Sequence, residues 1–261
     1  MSEETPAQMP FHEETSFELD RDQLESILLE SQNISPTEKE RLNTIILDAN
    51  EKISGEFADI VPPIPDSDIV KKFVFVDKDT MNELEDAWDP TSNLNLEYSD
   101  RANTTGRVFL YEGRFVIEVP ATDDLWGNLT ENNRNILVRK YKTEEKAKEL
   151  VRRALDTNII IHESTHLYQI PNADKKMYLL RETQAEWMTR KHVPHELRVS
   201  NPEFEKKADF YQWLVDKYGV KNAHECALTG NVENDTEIVS NIMSEFSEGA
   251  VKDLFPNLKN G

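Results

Sequence analysis

Cysteine is almost absent from the sequence: Cys226 is the only one among 261 residues. A single cysteine cannot form a disulfide bond within the chain, so we expect no disulfide framework. It also excludes a zinc site built from several cysteine thiolates, which structural zinc sites commonly use. Disulfide-stabilised folds and cysteine-rich zinc domains are therefore both ruled out.

Positive charge is also scarce, because 30 Lys and Arg residues stand against 50 Asp and Glu residues. The resulting formal net charge of −20 repels phosphate and carboxylate groups. This balance argues against nucleic acids, anionic membrane surfaces and acidic substrates as partners. Basic or neutral peptides remain compatible with it.

No stretch of the sequence is apolar over the length that a membrane-spanning helix requires. The N-terminal residues are acidic and polar, without the basic and apolar regions of a secretory signal peptide. We therefore expect a cytoplasmic protein that does not enter a membrane. Residues 1–18 have no hydrophobic period and are predicted to be a disordered acidic tail.

Two helices are predicted before a proline-rich break. Apolar residues at helical spacing predict the first over residues 20–31. The Ser-Pro pair at 35–36 suits the N-cap and first position of the second helix, whose apolar residues lie on one face. Residues 61–65 contain three prolines, which interrupt regular structure, so we expect few contacts across this break. The predicted units are an N-terminal helical segment over 19–60 and a main domain over 66–261.

The segment after this break carries the predicted β-structure. Residues 72–76 are predicted to be a strand from their β-branched and aromatic content. Residues 107–111 and 114–119 are predicted to form a hairpin, because Gly113 stands where a two-residue turn requires a positive φ angle. The other predictions for this region are a short helix capped by Thr80, a loop over residues 89–105, and a loop with a short helical turn over residues 122–135.

The most specific pattern in the chain is His-Glu-Ser-Thr-His at residues 162–166, which reads HExxH. It lies in the second half of a long predicted helix that begins after Thr143. Positions i and i+4 share one face of a helix, so His162 and His166 can bind one metal ion. Glu163 leaves the helix about 100° round from His162, where it can reach a water on that metal. Two ordinary histidines on a surface helix are the alternative, but the apolar run before them indicates a buried helix, where unpartnered polar groups are costly.

A catalytic zinc ion usually takes three protein ligands, so two histidines leave such a site incomplete. The predicted helix over residues 174–192 presents Tyr178, Glu182 and Glu186 on one continuous face. Carboxylates at this spacing are, by themselves, typical of a solvated face. Beside a two-histidine site they become candidates for the missing ligand, and the spacing leaves both glutamates open. Further helices are predicted over residues 202–218, 223–228 and 237–254.

The HExxH motif and the later segment RETQAEW, which contains Glu182 and Glu186, together resemble the gluzincin metallopeptidases, the thermolysin-like class that includes the compact minigluzincins. The resemblance covers residues 70–192. It implies an α+β fold: a mostly helical zincin-like domain with a small β-sheet, preceded by the N-terminal helical segment. It also implies a Zn²⁺ ion held by His162, His166 and Glu182, with Glu186 bracing a ligand histidine. The connection between the two motifs is short for the class, which leaves Glu186 as a rival ligand.

The resemblance implies zinc-dependent hydrolysis of peptide bonds in a peptide or protein substrate, with Glu163 as the general base. Tyr178, His192, His195 and His224 are candidates to stabilise the oxyanion, and the sequence favours none of them. An alternative is a catalytically silent zincin-like binding module whose acidic N-terminal helices recruit a basic partner. A third hypothesis is a latent peptidase whose N-terminal helices cover the cleft. The presence of Glu163 favours a peptidase, because a structural metal site needs no general base.

Overall fold

Most of the described chain is helical. The computed structural model describes residues 25–26, 34–86, 97–98, 107–111, 113–119, 121–169, 175–198, 201–232 and 235–256. The predicted disordered tail over 1–18 lies outside these residues, whereas Glu25 and Ser26, within the predicted first helix, are helical. Among the described residues, no helix is both long and apolar enough to cross a membrane. The helices are α1 (Pro36–Phe57), α2 (Asp66–Ile69), α3 (Lys78–Asp86), α4 (Thr122–Asn128), α5 (Glu131–Tyr141), α6 (Glu144–His166), α7 (Lys175–His192), α8 (Pro202–Tyr218), α9 (Val220–Thr229), α10 (Thr236–Glu245) and α11 (Glu248–Leu254), with 3₁₀ turns at Val70–Lys72 and His195–Leu197.

A small four-stranded sheet precedes the long helix α6 in the chain. Parallel pairing joins β4 (Arg114–Glu118) to β1 (Phe73–Val76), and antiparallel pairing joins β4 to β3 (Val108–Tyr111) and β3 to β2 (Glu97–Tyr98). Gly113, with a φ angle of 71°, lies in the turn between β3 and β4, as predicted. The fold is therefore α+β, mostly helical with a small sheet, as the sequence predicts. The spatial order of the strands is β1-β4-β3-β2.

Some local predictions around this sheet are wrong. The strand β2 lies within the predicted loop over 89–105, because so short a strand is defined by its pairing with β3 rather than by its own residues. Helix α3 begins before Thr80, and Asp77 caps it by accepting a hydrogen bond from the Thr80 amide at 2.9 Å. Within residues 122–135, α4 matches the predicted short helical turn, but the rest is the first turns of α5 rather than a loop, and the side chain of Thr130 caps α5.

The predicted single helix over 237–254 is in fact two helices. The backbone leaves the helical region at Phe246, which has a φ angle of −78° and a ψ angle of 61°. Ser247 then caps α11, because its hydroxyl accepts a hydrogen bond from a first-turn amide at 3.3 Å. The end of α8 matches its prediction, since Gly219 follows it with a φ angle of 86° that favours glycine.

Helix α1 packs against α6 and belongs to the main hydrophobic core. Ser35 caps it as predicted, accepting a hydrogen bond from the Glu38 amide at 3.2 Å. The prediction that few contacts cross the proline-rich break is therefore wrong for α1, while the division of the chain at that break stays a prediction. The side chains of α1 that are fully buried in this core are Leu42, Ile46, Ala49, Ile53 and Phe57.

Charged side chains reinforce the contact between α1 and α6. Arg41 on α1 pairs with Asp156 on α6 and with Glu38 on its own helix. Arg152 on α6 reaches back to Glu38, with Nη2 2.7 Å from Oε1. Burial raises the pKa of Asp156 despite the neighbouring Arg41 guanidinium. A buried carboxylate is costly without its partner, so Arg41 favours this one register of α1 on α6.

Candidate metal centre

Helix α6 carries the HExxH motif in its buried C-terminal half. Thr143 caps the helix as predicted, accepting a hydrogen bond from the Lys146 amide at 3.2 Å. The first turns are exposed, whereas every residue from 155 to 165 is buried. Helices α1 and α7 both pack against α6 and contribute to this enclosure. His162 and Glu163 are only 2% and 3% exposed, so the alternative of a surface helix is wrong.

The imidazole rings of His162 and His166 converge with the carboxylate of Glu182 on α7. The two Nε2 atoms are 2.9 Å apart. Glu182 Oε1 is 3.2 Å from His166 Nε2, and its Oε2 is 3.7 Å from His162 Nε2. One atom from each of the three side chains lies within 4.8 Å of the others, so the group could hold a metal ion.

These separations suit the edges of a tetrahedral zinc site. Zinc binds nitrogen and carboxylate oxygen at about 2.0–2.2 Å, so two ligand atoms of a tetrahedron lie about 3.3–3.6 Å apart. The observed separations of 2.9, 3.2 and 3.7 Å lie close to that range, and the last two are measured to different oxygens of Glu182. Two imidazole nitrogens and a carboxylate oxygen are also the ligand set of one class of catalytic zinc sites. The donors fit zinc without selecting it against other divalent metals.

Glu186 lies at the opposite nitrogen of the His162 ring. Its Oε1 is 3.6 Å from His162 Nδ1, whereas Glu182 faces Nε2. A carboxylate beside Nδ1 favours a proton on that nitrogen and leaves the Nε2 lone pair available to a metal. Of the two glutamates that the sequence leaves open, Glu182 is therefore the one grouped with both Nε2 atoms, and its role as a ligand stays a prediction.

Negative charge dominates the electrostatics of this group. Burial by itself lowers the pKa of His166, but Glu182, Glu163 and a hydrogen bond to Gln169 raise it to about 9. Glu163 is buried on α6, so its charge acts through a poorly solvated interior. Surroundings that stabilise a proton on an imidazole stabilise a bound cation for the same electrostatic reason.

Two glutamines connect this group to a buried histidine. Gln169, just beyond the end of α6, lies with Oε1 2.7 Å from His166 Nδ1. Its Nε2 donates to Gln184 Oε1 on α7 at 2.8 Å, and Gln184 Nε2 is 3.1 Å from His224 Nδ1 on α9. Sequence reasoning missed both glutamines, because no spacing rule relates residues on different helices. The available signal was a polar residue one turn after His166.

The four candidates for oxyanion stabilisation lie in different surroundings. Tyr178 on α7 is 49% exposed. His195 is exposed in the 3₁₀ turn, and His192 Nε2 is 3.7 Å from Glu56 Oε2 on α1. His224 is buried and is connected to His166 through the two glutamines. The oxyanion role stays a prediction for all four.

Comparison with known proteins identifies no family for this chain. No protein-family model matches the chain, and searches of curated proteins and of solved structures find no similar protein. The likeness to gluzincins therefore depends on the two motifs and on the convergence of their side chains. Membership of that class stays a prediction.

Proposed function

We propose that this protein is a zinc-dependent peptidase of the gluzincin type, built on a zincin-like domain. In this proposal His162, His166 and Glu182 hold the metal, and Glu163 is the general base. The observation that supports it most directly is the convergence of two imidazole nitrogens and a carboxylate oxygen at separations suited to tetrahedral zinc. The packing of the HExxH helix against the helix of the third candidate ligand, after a small sheet, also supports it.

The residues around the metal position have roles that suit amide hydrolysis. A zinc ion held there would lower the pKa of a water molecule towards ~7 and polarise a peptide carbonyl. Glu163 accepts the proton of the attacking water. Its place next to His162 in the HExxH motif supports this role. Glu186 faces Nδ1 of His162 and keeps the other nitrogen of that ring directed at the metal.

The proposed substrates are peptide or protein chains of neutral or basic character. The net charge of −20 supports this choice, because it repels acidic chains and attracts basic ones. A cytoplasmic location is proposed from the cysteine content. Cys226 is the single cysteine of the sequence and cannot form a disulfide within the chain, whereas secreted proteins often depend on disulfides.

Metal content is the first test of this proposal. The purified protein is expected to carry one zinc ion per chain, and His166→Ala is expected to lose it, because one of three ligands is missing. His195→Ala is the matched control, since that histidine is exposed in the 3₁₀ turn. Zinc analysis after dialysis against a weak chelator measures the difference. Full zinc retention in His166→Ala would contradict the ligand assignment.

The second test separates metal binding from catalysis. Glu163→Gln is expected to keep the fold and the zinc ion and to lower cleavage of a peptide library by roughly 10²–10⁴-fold, because glutamine cannot accept the proton of water. Glu149→Gln, an exposed glutamate on the same helix, is the matched control and is expected to cleave normally.

The outcomes of the second test distinguish the alternatives. Equal cleavage by the original protein and by Glu163→Gln would identify a contaminating protease or another mechanism. Zinc bound in both proteins without any cleavage would favour the catalytically silent binding module. Loss of zinc from Glu163→Gln would place this glutamate among the metal ligands instead.

A further inference from the structure

A chain of polar side chains leads from the metal position to helix α1. Gln169 joins His166 to Gln184, and Gln184 joins Gln169 to His224, at the hydrogen-bond distances given above. His224 Nε2 then faces Glu56 Oε1 at 3.8 Å. Gln184 and His224 are 0% and 1% exposed, so water cannot replace a lost partner within the chain. We refer to Gln169, Gln184 and His224 as the amide relay.

The direction of the amide relay is set at its near end by a backbone carbonyl. A glutamine side chain has an NH₂ end that only donates and an oxygen end that only accepts. Gln169 Nε2 is 3.3 Å from the carbonyl oxygen of Arg181, which can only accept. The NH₂ group must therefore face Arg181 and Gln184, and Oε1 must face His166. If the Gln169 amide were reversed, its oxygen would face the carbonyl oxygen of Arg181 and Oε1 of Gln184.

The far end of the amide relay is compatible with the same direction. Gln184 Oε1 accepts from Gln169, so its Nε2 faces Nδ1 of His224, which the Tyr211 hydroxyl also approaches at 2.9 Å. A neutral His224 ring that accepts at Nδ1 carries its proton on Nε2, on the side of Glu56 but beyond hydrogen-bond distance from it. The carbonyl of Arg181 is therefore the acceptor that fixes the orientation.

This orientation favours a proton on one nitrogen of His166. Because Gln169 Oε1 accepts, Nδ1 of His166 carries a proton, and a ring with only that proton directs the lone pair of Nε2 towards His162 and Glu182. A metal binds the deprotonated nitrogen. With the proton on Nε2, the same ring would present a hydrogen atom to the metal position.

We propose that Gln169, oriented by Gln184, is a positioning residue that holds His166 in its metal-binding tautomer. This inference rests on the proposed function, since it concerns the same metal site. Gln169 would accept a hydrogen bond from Nδ1 of His166, as Glu186 is placed to do for Nδ1 of His162. The acceptor is a neutral amide for His166 and a carboxylate for His162. Each ligand histidine is then oriented by an acceptor from a different region of the chain.

Zinc affinity is the first readout of this proposal. Gln169→Met keeps the length of the side chain and removes the acceptor, so we expect zinc affinity to fall by roughly 10–100-fold. Gln184→Met is expected to lower it less, because Gln169 keeps its bond to the Arg181 carbonyl. Gln212→Met is the matched control: that glutamine is also half-buried and hydrogen-bonded, to Trp187 and Asp216, and its loss is expected to leave zinc affinity unchanged.

The protonation of the His166 ring is the second readout, and it does not require zinc. In the metal-free protein, NMR of the histidine rings is expected to show a slowly exchanging proton on Nδ1 of His166, assigned by the loss of its signals in His166→Ala. Gln169→Met is expected to make this proton exchange faster with solvent, because its acceptor is removed. A purely structural role for Gln169 would leave this exchange unchanged.

The two readouts separate this proposal from the proposed function. Absence of zinc from the original protein would end the proposed function, and the NMR measurement would still test the amide relay. A zinc-binding protein in which Gln169→Met has unchanged affinity would overturn the positioning role. So would a His166 ring without a proton on Nδ1 in the original protein. If Gln169→Met does not fold, the Gln184→Met variant and the original protein's NMR spectrum decide the question.

Discussion

Replacing Glu182 by glutamine is expected to abolish tight zinc binding, whereas replacing Glu186 by glutamine is expected to weaken it only roughly 10–100-fold. The two residues lie one helical turn apart on α7 but face different nitrogens. Glu182 oxygens lie 3.2 and 3.7 Å from the Nε2 atoms of His166 and His162, where a metal would be bound. Glu186 faces Nδ1 of His162 at 3.6 Å and acts through that ring.

The size of the difference follows from what each substitution removes. A glutamine at Glu182 takes a full negative charge from direct contact with a divalent cation, and a neutral amide oxygen is a much weaker ligand. Loss of one of three ligands costs several kcal/mol out of a total of roughly 10–16 kcal/mol for structural zinc at neutral pH. A glutamine at Glu186 still offers an oxygen to the His162 ring, so the tautomer of that histidine is weakened rather than lost.

Competition with a fluorescent zinc chelator measures both affinities on one scale. Glutamine is nearly isosteric with glutamate, so the packing of α7 through Leu179, Leu180 and Met188 is expected to hold, and far-UV circular dichroism checks it. Glu149→Gln again serves as the control on the surface of α6. If Glu186→Gln were the more damaging change, Glu186 would be the ligand, and the gluzincin proposal would survive with a different third residue.

The helices of the candidate site could be predicted because their signals are local. Thr143 caps α6, and the stripe of apolar residues after it identifies the buried face without any knowledge of its neighbours. The spacing of His162 and His166 is equally local, since a helix is rigid over four residues. The structure brings both histidines and Glu182 together, as the motifs predict, while their binding of a metal stays a prediction.

The features that the sequence did not predict share one physical cause: each depends on a contact with residues far away in the chain. The strand β2 is defined by pairing with β3, and its two residues carry no strand signal of their own. Gln169 and Gln184 acquire their roles from contacts between α6, α7 and α9 that no sequence period encodes. The apolar stripe of α1 predicts that one face is buried, but it does not reveal that α6 covers that face.

Deleting residues 1–60, which removes α1, is expected to prevent the rest of the chain from folding cooperatively. The deletion removes Leu42, Ile46 and Phe57, which are fully buried in the main hydrophobic core, and uncovers the side of α6 that packs against α1. It also leaves Asp156 buried without Arg41. Each large buried side chain contributes about 2–5 kcal/mol by comparison with alanine, and a native domain is stable by only about 5–15 kcal/mol in total.

Two neighbouring residues of α1 provide a graded version of this experiment. Ile46 is fully buried and Leu47 is 37% exposed, although they follow one another in the helix. Ile46→Ala is therefore expected to lower the free energy of unfolding by about 2–5 kcal/mol, and Leu47→Ala by less than about 0.5 kcal/mol. Urea titration followed by tryptophan fluorescence measures both. Similar midpoints for the two variants would mean that α1 lies on the surface rather than in the core.

A structural role for α1 restricts the latent-peptidase hypothesis, in which N-terminal residues cover the cleft. If α1 is needed for the core, it cannot swing away to open a cleft, so an inhibitory cover must come from residues before it. Glu25 gives one contact of this kind, with Oε1 2.6 Å from Arg114 Nη2 on β4. Deleting residues 1–33 is therefore expected to leave the urea midpoint almost unchanged, and faster peptide cleavage by that variant would identify those residues as the cover. Folded, equally stable protein after deletion of residues 1–60 would instead return α1 to the list of inhibitory candidates.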